Sequence, residues 1–222
     1  MKKKKRIIAI VSICLVAITV ASIILGIFVT NKNGATGKTG NARDEIYVKE
    51  IFDKKIDDII ADPEWKDDLV STTDTYVMVD SNKFDFANQL DVGDGYSYLY
   101  FNEESREVEM LVHNYVSYTN DKDPATEIQG VVAKIEGNLV GLLGNPSQPF
   151  MLLNTSGEYK DYEGLSIDEM IAKLIEGNTA MYTMFESDGM IYDMNIMFSD
   201  NTIYTTVWVS ECNHVHSEEV TE

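Results

Sequence analysis

Residues Ser166–Ser210 read SIDEMIAKLIEGNTAMYTMFESDGMIYDMNIMFSDNTIYTTVWVS, and an architecture can be read outward from them. Ser166-x-x-Glu169 is a capping box, in which the Ser side chain takes the Glu169 amide and the Glu side chain reaches back. Ile167, Met170, Ile171, Leu174 and Ile175 then form one helical stripe, and Gly177 stands where the helix should stop. Beyond it Thr179–Glu186, Met190–Phe198 and Thr202–Ser210 alternate with the period of a strand. Ser187-Asp188-Gly189 and Ser199-Asp200-Asn201 are tight-turn signals between them. A helix followed by a three-strand antiparallel meander is therefore expected.

Upstream, Thr73–Asp80, Gly95–Phe101, Glu107–Thr119 and Gly130–Glu136 also read as strands rich in Tyr and Val. Val131–Leu143 is read as a hairpin turning at Gly137-Asn138, in preference to a helical turn over Leu139–Leu143. Asp44–Ala61 shows a helical stripe of Val48, Ile51, Phe52, Ile56, Ile59 and Ile60, ended by Asp62-Pro63. The fold class is thus α+β: mostly antiparallel sheet with two amphipathic helices. Helix-then-strands occurs twice, so two tandem units are an alternative to one domain.

The chain before this region is of another kind. Lys2–Lys5 and Arg6 form a basic cluster, and Ile7–Val29 follows with 23 residues free of charge and Pro. Such a run extends about 34 Å as a helix, enough to cross a bilayer core of about 30 Å. A single segment crosses lipid only as a helix, because backbone polar groups find no partners there. The positive-inside bias places residues 1–6 in the cytoplasm and the remainder outside. Cleavage after Ala21, as in a signal peptide, is the competing reading, but it leaves the apolar stretch Ser22–Val29 on a secreted product. Cys14, preceded by Ile13, reads as one more apolar residue of the helix. Residues 30–41, TNKNGATGKTGN, are a flexible linker. Residues 42–212 form the extracytoplasmic domain, and 213–222 an acidic tail.

The chain carries 18 basic and 37 acidic residues. Without the five cations of the leader, thirteen face 37, a net of −24. Such a domain lacks the clustered Lys and Arg that hold phosphates, which excludes nucleic acid as a partner. Of the two cysteines only Cys212 lies outside, so no disulfide forms within the domain. The absence of bridges, with the polylysine leader, points to a bacterial cell envelope.

Three chemistries suggest themselves from the residue types. Cys212 after a strand, His113 within another and a membrane anchor together resemble the sortases, cysteine transpeptidases. That resemblance implies an Arg beyond the Cys, and none follows Lys173. Ser210-Glu211 also departs from the family's Thr-x-Thr before its Cys, and Glu211 disfavours the thiolate. A Cys/His-dependent hydrolase or transpeptidase is the alternative function. Cys212, His214 and His216 alternate and present zinc or copper donors to one side of an extended segment, but a fourth ligand is lacking. Asp91-x-x-Asp94-Gly95 and Asn120-Asp121-x-Asp123 offer oxygens without the calcium-loop spacing and read as turns. No catalytic, cofactor or metal residue is therefore assigned.

Tyr96, Tyr98 and Tyr100 share one face of a strand. Such a stripe is expected to be the core face of the sheet, with an exposed binding face as the functional alternative. Met184, Met190, Met194 and Met197 are likewise expected to fill the core. The function expected is a membrane-anchored extracytoplasmic binding or interaction module, whose partner is a protein or small ligand. Its contact with the bilayer is through Ile7–Val29.

Overall fold

The structure is a computed structural model that describes residues 48–80, 84–154 and 164–212. The leader Ile7–Val29, the linker, residues 44–47 of the first expected helix and the acidic tail lie outside the described residues. Among the described residues no helix is long and apolar enough to cross a membrane.

The elements run α1 (Lys49–Phe52), α2 (Ile56–Ala61), β1 (Leu69–Thr72), β2 (Tyr76–Asp80), α3 (Asp85–Leu90), β3 (Asp94–Phe101) and β4 (Val108–Tyr118). The second half continues with α4 (Pro124–Lys134), a π-helical turn Ile135–Leu139, α5 (Val140–Leu143), β5 (Gln148–Asn154), α6 (Ile167–Glu176), β6 (Thr179–Ser187), β7 (Met190–Ser199) and β8 (Thr202–Glu211). All eight strands form one antiparallel sheet in the order β1-β2-β3-β4-β8-β7-β6-β5. Two four-strand halves meet where β4 pairs with β8, from Leu111 opposite Val209 to Tyr118 opposite Thr202. One apolar core runs under both halves, including Leu99, Leu111, Val207 and Met194 of the strands and Phe86, Ile128, Ile135 and Leu174 of the helices. The two helix-then-strands runs therefore share one sheet and one core.

The C-terminal region has the expected architecture. Ser166 accepts from the Glu169 amide, and the Glu169 carboxylate takes the Ser166 amide at 2.8 Å. Asp188 and Gly189 have φ of 52° and 79°, and Asp200 and Asn201 49° and 57°. Positive φ at both central residues is what two-residue hairpins need to match strand twist.

Three expectations are corrected. Gly130–Glu136 is helix, not strand, and Val131–Leu143 is not a hairpin. Ile128, Val131, Val132, Ile135 and Leu139 are all buried, at helical spacing, and seven residues from Gly130 were too few to separate the two periods. The start of α4 is also set locally: Asp123 accepts the Thr126 amide, and Pro124 occupies the first turn. Asp44–Ala61 is not one helix. Lys55 is extended and bridges to Glu107, and the Ile56 amide donates to the Arg106 carbonyl at 2.8 Å. Arg106 closes the same corner on Asp57, at 2.7 Å. Asp62 does end α2 in extended conformation before Pro63. β1, β5 and α3 add to the expected elements. β1 and β5 are the sheet's edges, and Pro149 fits there because an edge strand can spare an amide.

The β4–β8 seam gives a direct test. Leu111 is fully buried at the seam, whereas Tyr118 at the end of the same strand is 56% exposed. Leu111→Ala is expected to lower unfolding free energy by about 2–5 kcal/mol and Tyr118→Ala by under about 0.5 kcal/mol, read from denaturant midpoints.

Candidate binding face of the sheet

Side chains alternate across a sheet, so the strand register sorts every residue onto one of two faces. Ser97, Leu99, Leu111, His113, Tyr115, Val207 and Val209 fall on the face beneath the helices. Tyr96, Tyr98 and Tyr100 fall on the other. Across the sheet one row on that second face runs Met78, Tyr98, Val112, Trp208, Asp193, Met184, Gln148. The next row runs Tyr96, Asn114, Thr206, Asn195, Tyr182. Met78, Tyr98, Val112 and Trp208 form a second apolar cluster, with Tyr76, Tyr96, Tyr100 and Met110 packed around them. No described helix contributes to it.

The tyrosine stripe is therefore not part of the core under the helices. Tyr98 and Trp208 are each only 7% exposed. Tyr76 packs against both Tyr98 and Tyr100 with ring centroids 5.5 Å apart. Burial, then the neighbouring Tyr100, Tyr76 and Tyr96, pushes the Tyr98 phenol up to about 12. The methionines divide in the same way: Met190 and Met194 fill the core, whereas Met184 and Met197 lie on the second face and are half-buried.

Three residues of this face had not been singled out: Asp193, Tyr182 and Trp208. Asp193 pairs with Trp208 on one side and Met184 on the other, and one of its oxygens accepts from the Tyr182 hydroxyl. Burial raises its carboxyl pKa, and the Tyr182 hydrogen bond opposes that rise. The signal was present in β7, where Ile191, Asp193 and Asn195 interleave with the buried Tyr192, Met194 and Ile196. Among the described residues no strand carries Lys or Arg, whereas Asp94, Asp193 and Glu186 lie on this face by register.

His113 lies on the helix side and is fully buried. Its Nδ1 and Ser97 Oγ are 2.6 Å apart and share a proton, while Nε2 has no hydrogen-bond partner. Phe86 meets the ring edge-on at 5.8 Å, and Tyr115 at 4.1 Å holds its own hydroxyl on the Ala87 carbonyl. Gly95 is needed opposite it, since a Cβ there would sit 2.7 Å from Nε2. Burial lowers the His113 pKa to about 3.

The structure does not bring His113 and Cys212 together. His113 pairs with Val207, and Cys212 stands five residues further along, about 17 Å at strand rise. The Cys212 amide donates to the Gly189 carbonyl at 2.7 Å, closing the last rung of the meander. His214 and His216 lie outside the described residues. Among the described residues no group of three or more His, Cys, Asp or Glu is placed to hold a metal ion. The two oxygen-rich loops serve as turns: Asp91 ends α3 with φ 36°, Asn120 has φ 48°, and Asp123 caps α4. Comparison with protein-family models, with curated proteins and with solved structures finds no match to this chain.

The buried imidazole makes stability depend on pH. The folded pKa lies below the ordinary 6.5, so the unfolded chain binds the proton more readily. The contribution is complete above pH 6.5 and is lost as pH falls toward 3, at up to about 1.4 kcal/mol per pH unit. Denaturant titrations at pH 7.5, 6 and 5 are expected to show this slope in the wild type and a flatter one in His113→Phe. The difference between the two proteins isolates the histidine from the carboxylates.

Proposed function

We propose that the protein is a membrane-anchored extracytoplasmic binding or protein-interaction module of the bacterial cell envelope. Ile7–Val29 crosses the bilayer once, residues 1–6 remain cytoplasmic, and the α+β domain stands outside on the linker at 30–41. The anchor rests on the length and apolarity of the leader and on its flanking cations. The net of −24 outside the leader keeps the domain off anionic headgroups and away from nucleic acid.

One observation carries the binding reading: the second face of the sheet. Among the described residues, Met78, Tyr98, Val112 and Trp208 cluster there with Tyr76, Tyr96, Tyr100 and Met110, while the helices contribute to the cluster on the other side. Met78, Tyr98, Val112 and Trp208 at its centre are 2–7% exposed, with Tyr76, Tyr96, Tyr100 and Met110 half-buried around them, and Tyr, Trp and Met are the residues enriched where partners dock.

Two measurements test the two halves of this reading. Full-length protein is expected in the membrane fraction, resistant to carbonate extraction, with its domain digested by protease added to protoplasts. Recovery in the soluble cytosolic fraction overturns the anchor. A photo-reactive phenylalanine analogue at Tyr100 is expected to form discrete adducts in the envelope, while the same analogue at exposed Ile175 on α6 forms none. Equal labelling from both positions overturns the binding face.

A further inference from the structure

We infer that the partner of the second face is a cationic polypeptide segment, and that Asp193, held by Tyr182 beside Trp208, receives one of its Arg or Lys side chains. This rests on the binding-module reading and adds the chemistry of the occupant.

Charge complementarity selects that chemistry. The face contains carboxylates at Asp94, Asp193 and Glu186 and, among the described residues, no basic side chain on any strand. Each described cation sits on a helix or a loop instead, and Arg106, Lys122 and Lys173 are there paired with Asp57, Glu127 and Glu176. Tyr96 stands two residues from Asp94 on β3, and Tyr76, Tyr96 and Tyr100 lie three or four strands from Asp193, roughly 14–19 Å at the usual strand spacing. A polypeptide of several residues can span that distance, with one cation at Asp193 and another resting on these half-buried rings through its attraction to the π face. Asp193 is itself half-buried and accepts a hydrogen bond from Tyr182. Burial disfavours its charge, so a cation arriving there stabilises the ionised form.

The geometry selects a polypeptide over a small molecule. Two concavities of the described surface lie elsewhere, one lined by Lys49, Asp53 and Asp188 and the other between α4 and α6 by Gln129, Asp168 and Ile171. The face itself is a broad surface of eight strands, roughly 35 Å across at the usual strand spacing. A second copy of this chain is disfavoured as occupant, because it would set carboxylate against carboxylate between two bodies of the same sign.

The test uses full-length protein in nanodiscs of zwitterionic lipid, with fluorescently labelled octa-arginine, octa-glutamate and a neutral Gly/Ser octapeptide as probes. Octa-arginine is expected to bind, with affinity falling as salt rises, and the other two are not. Asp193→Asn, nearly the same shape, is expected to weaken octa-arginine binding about tenfold, and Tyr100→Ser several-fold. The double change Asp57→Asn and Asp58→Asn on the helical side is expected to leave it unchanged. Thermal unfolding of each variant shows that the fold is retained. Equal binding by wild type and Asp193→Asn, or equal loss in the helical-side variant, overturns the inference in favour of diffuse attraction. No octa-arginine binding also overturns it. If Tyr100 adducts persist in that case, the binding-module reading stands and only the cationic partner falls; if they are absent too, both fall.

Discussion

The fold depends on the pairing of β4 with β8. These strands are separated by most of the second half of the chain, yet they pair over eight consecutive positions, from Leu111–Val209 to Tyr118–Thr202. Every other adjacent pair in the sheet joins strands consecutive in the chain, with α3 lying between β2 and β3 and α6 between β5 and β6. Those local pairings can form within each half. Only the β4–β8 seam makes one sheet of two halves, and only one sheet can lay a continuous apolar surface under α1 to α6. Closing so long a loop costs entropy that grows slowly with length, and the buried seam residues offset it.

That seam also fixes which residues each face carries. The side chains beneath the helices are almost purely apolar; Thr183 donates to the Gln148 carbonyl, and Ser97 is paired with His113, whose Nε2 has no hydrogen-bond partner. The imidazole is neutral there because nothing nearby compensates a charge. The second face is built differently. Its hydrophobic groups are large, flat and mutually supporting, with Asn, Asp and Thr between them. A sheet with one face covered by helices and the other not normally shows a polar outer face. Here aromatic rings occupy that place, and this departure is why the face is read as a docking surface.

The correction of the tyrosine stripe follows from the same parity. Alternation shows that Tyr96, Tyr98 and Tyr100 share a side, but both sides of β3 are apolar enough to be a core. Ser97, Leu99 and Phe101 have the interior because their neighbours across the sheet, His113, Leu111 and Val108, are the ones the helices cover. The same reasoning separates Met190 and Met194 from Met184 and Met197. Asp193 was overlooked because one carboxylate within a strand has no special spacing; its cross-strand neighbours Trp208 and Met184, and the Tyr182 hydroxyl on it, come from other strands.

The sequence by itself determined the α+β class, the capping box at Ser166, the C-terminal meander with its two tight turns and the helix stop at Asp62-Pro63. These are local effects, governed by side-chain capping, backbone dihedral preferences and the two-residue period. The tertiary structure decided that the halves share one sheet, that Gly130–Glu136 is helical, that the helix before Asp62 is broken at Lys55, and which face of each strand is interior. Each of those outcomes turns on partners distant in the chain: the Arg106 corner that breaks the first helix, the core that accepts Ile128, Ile135 and Leu139, and the strand register across β4 and β8. Local preference is nearly balanced at those places, so the contacts made across the fold carry the difference.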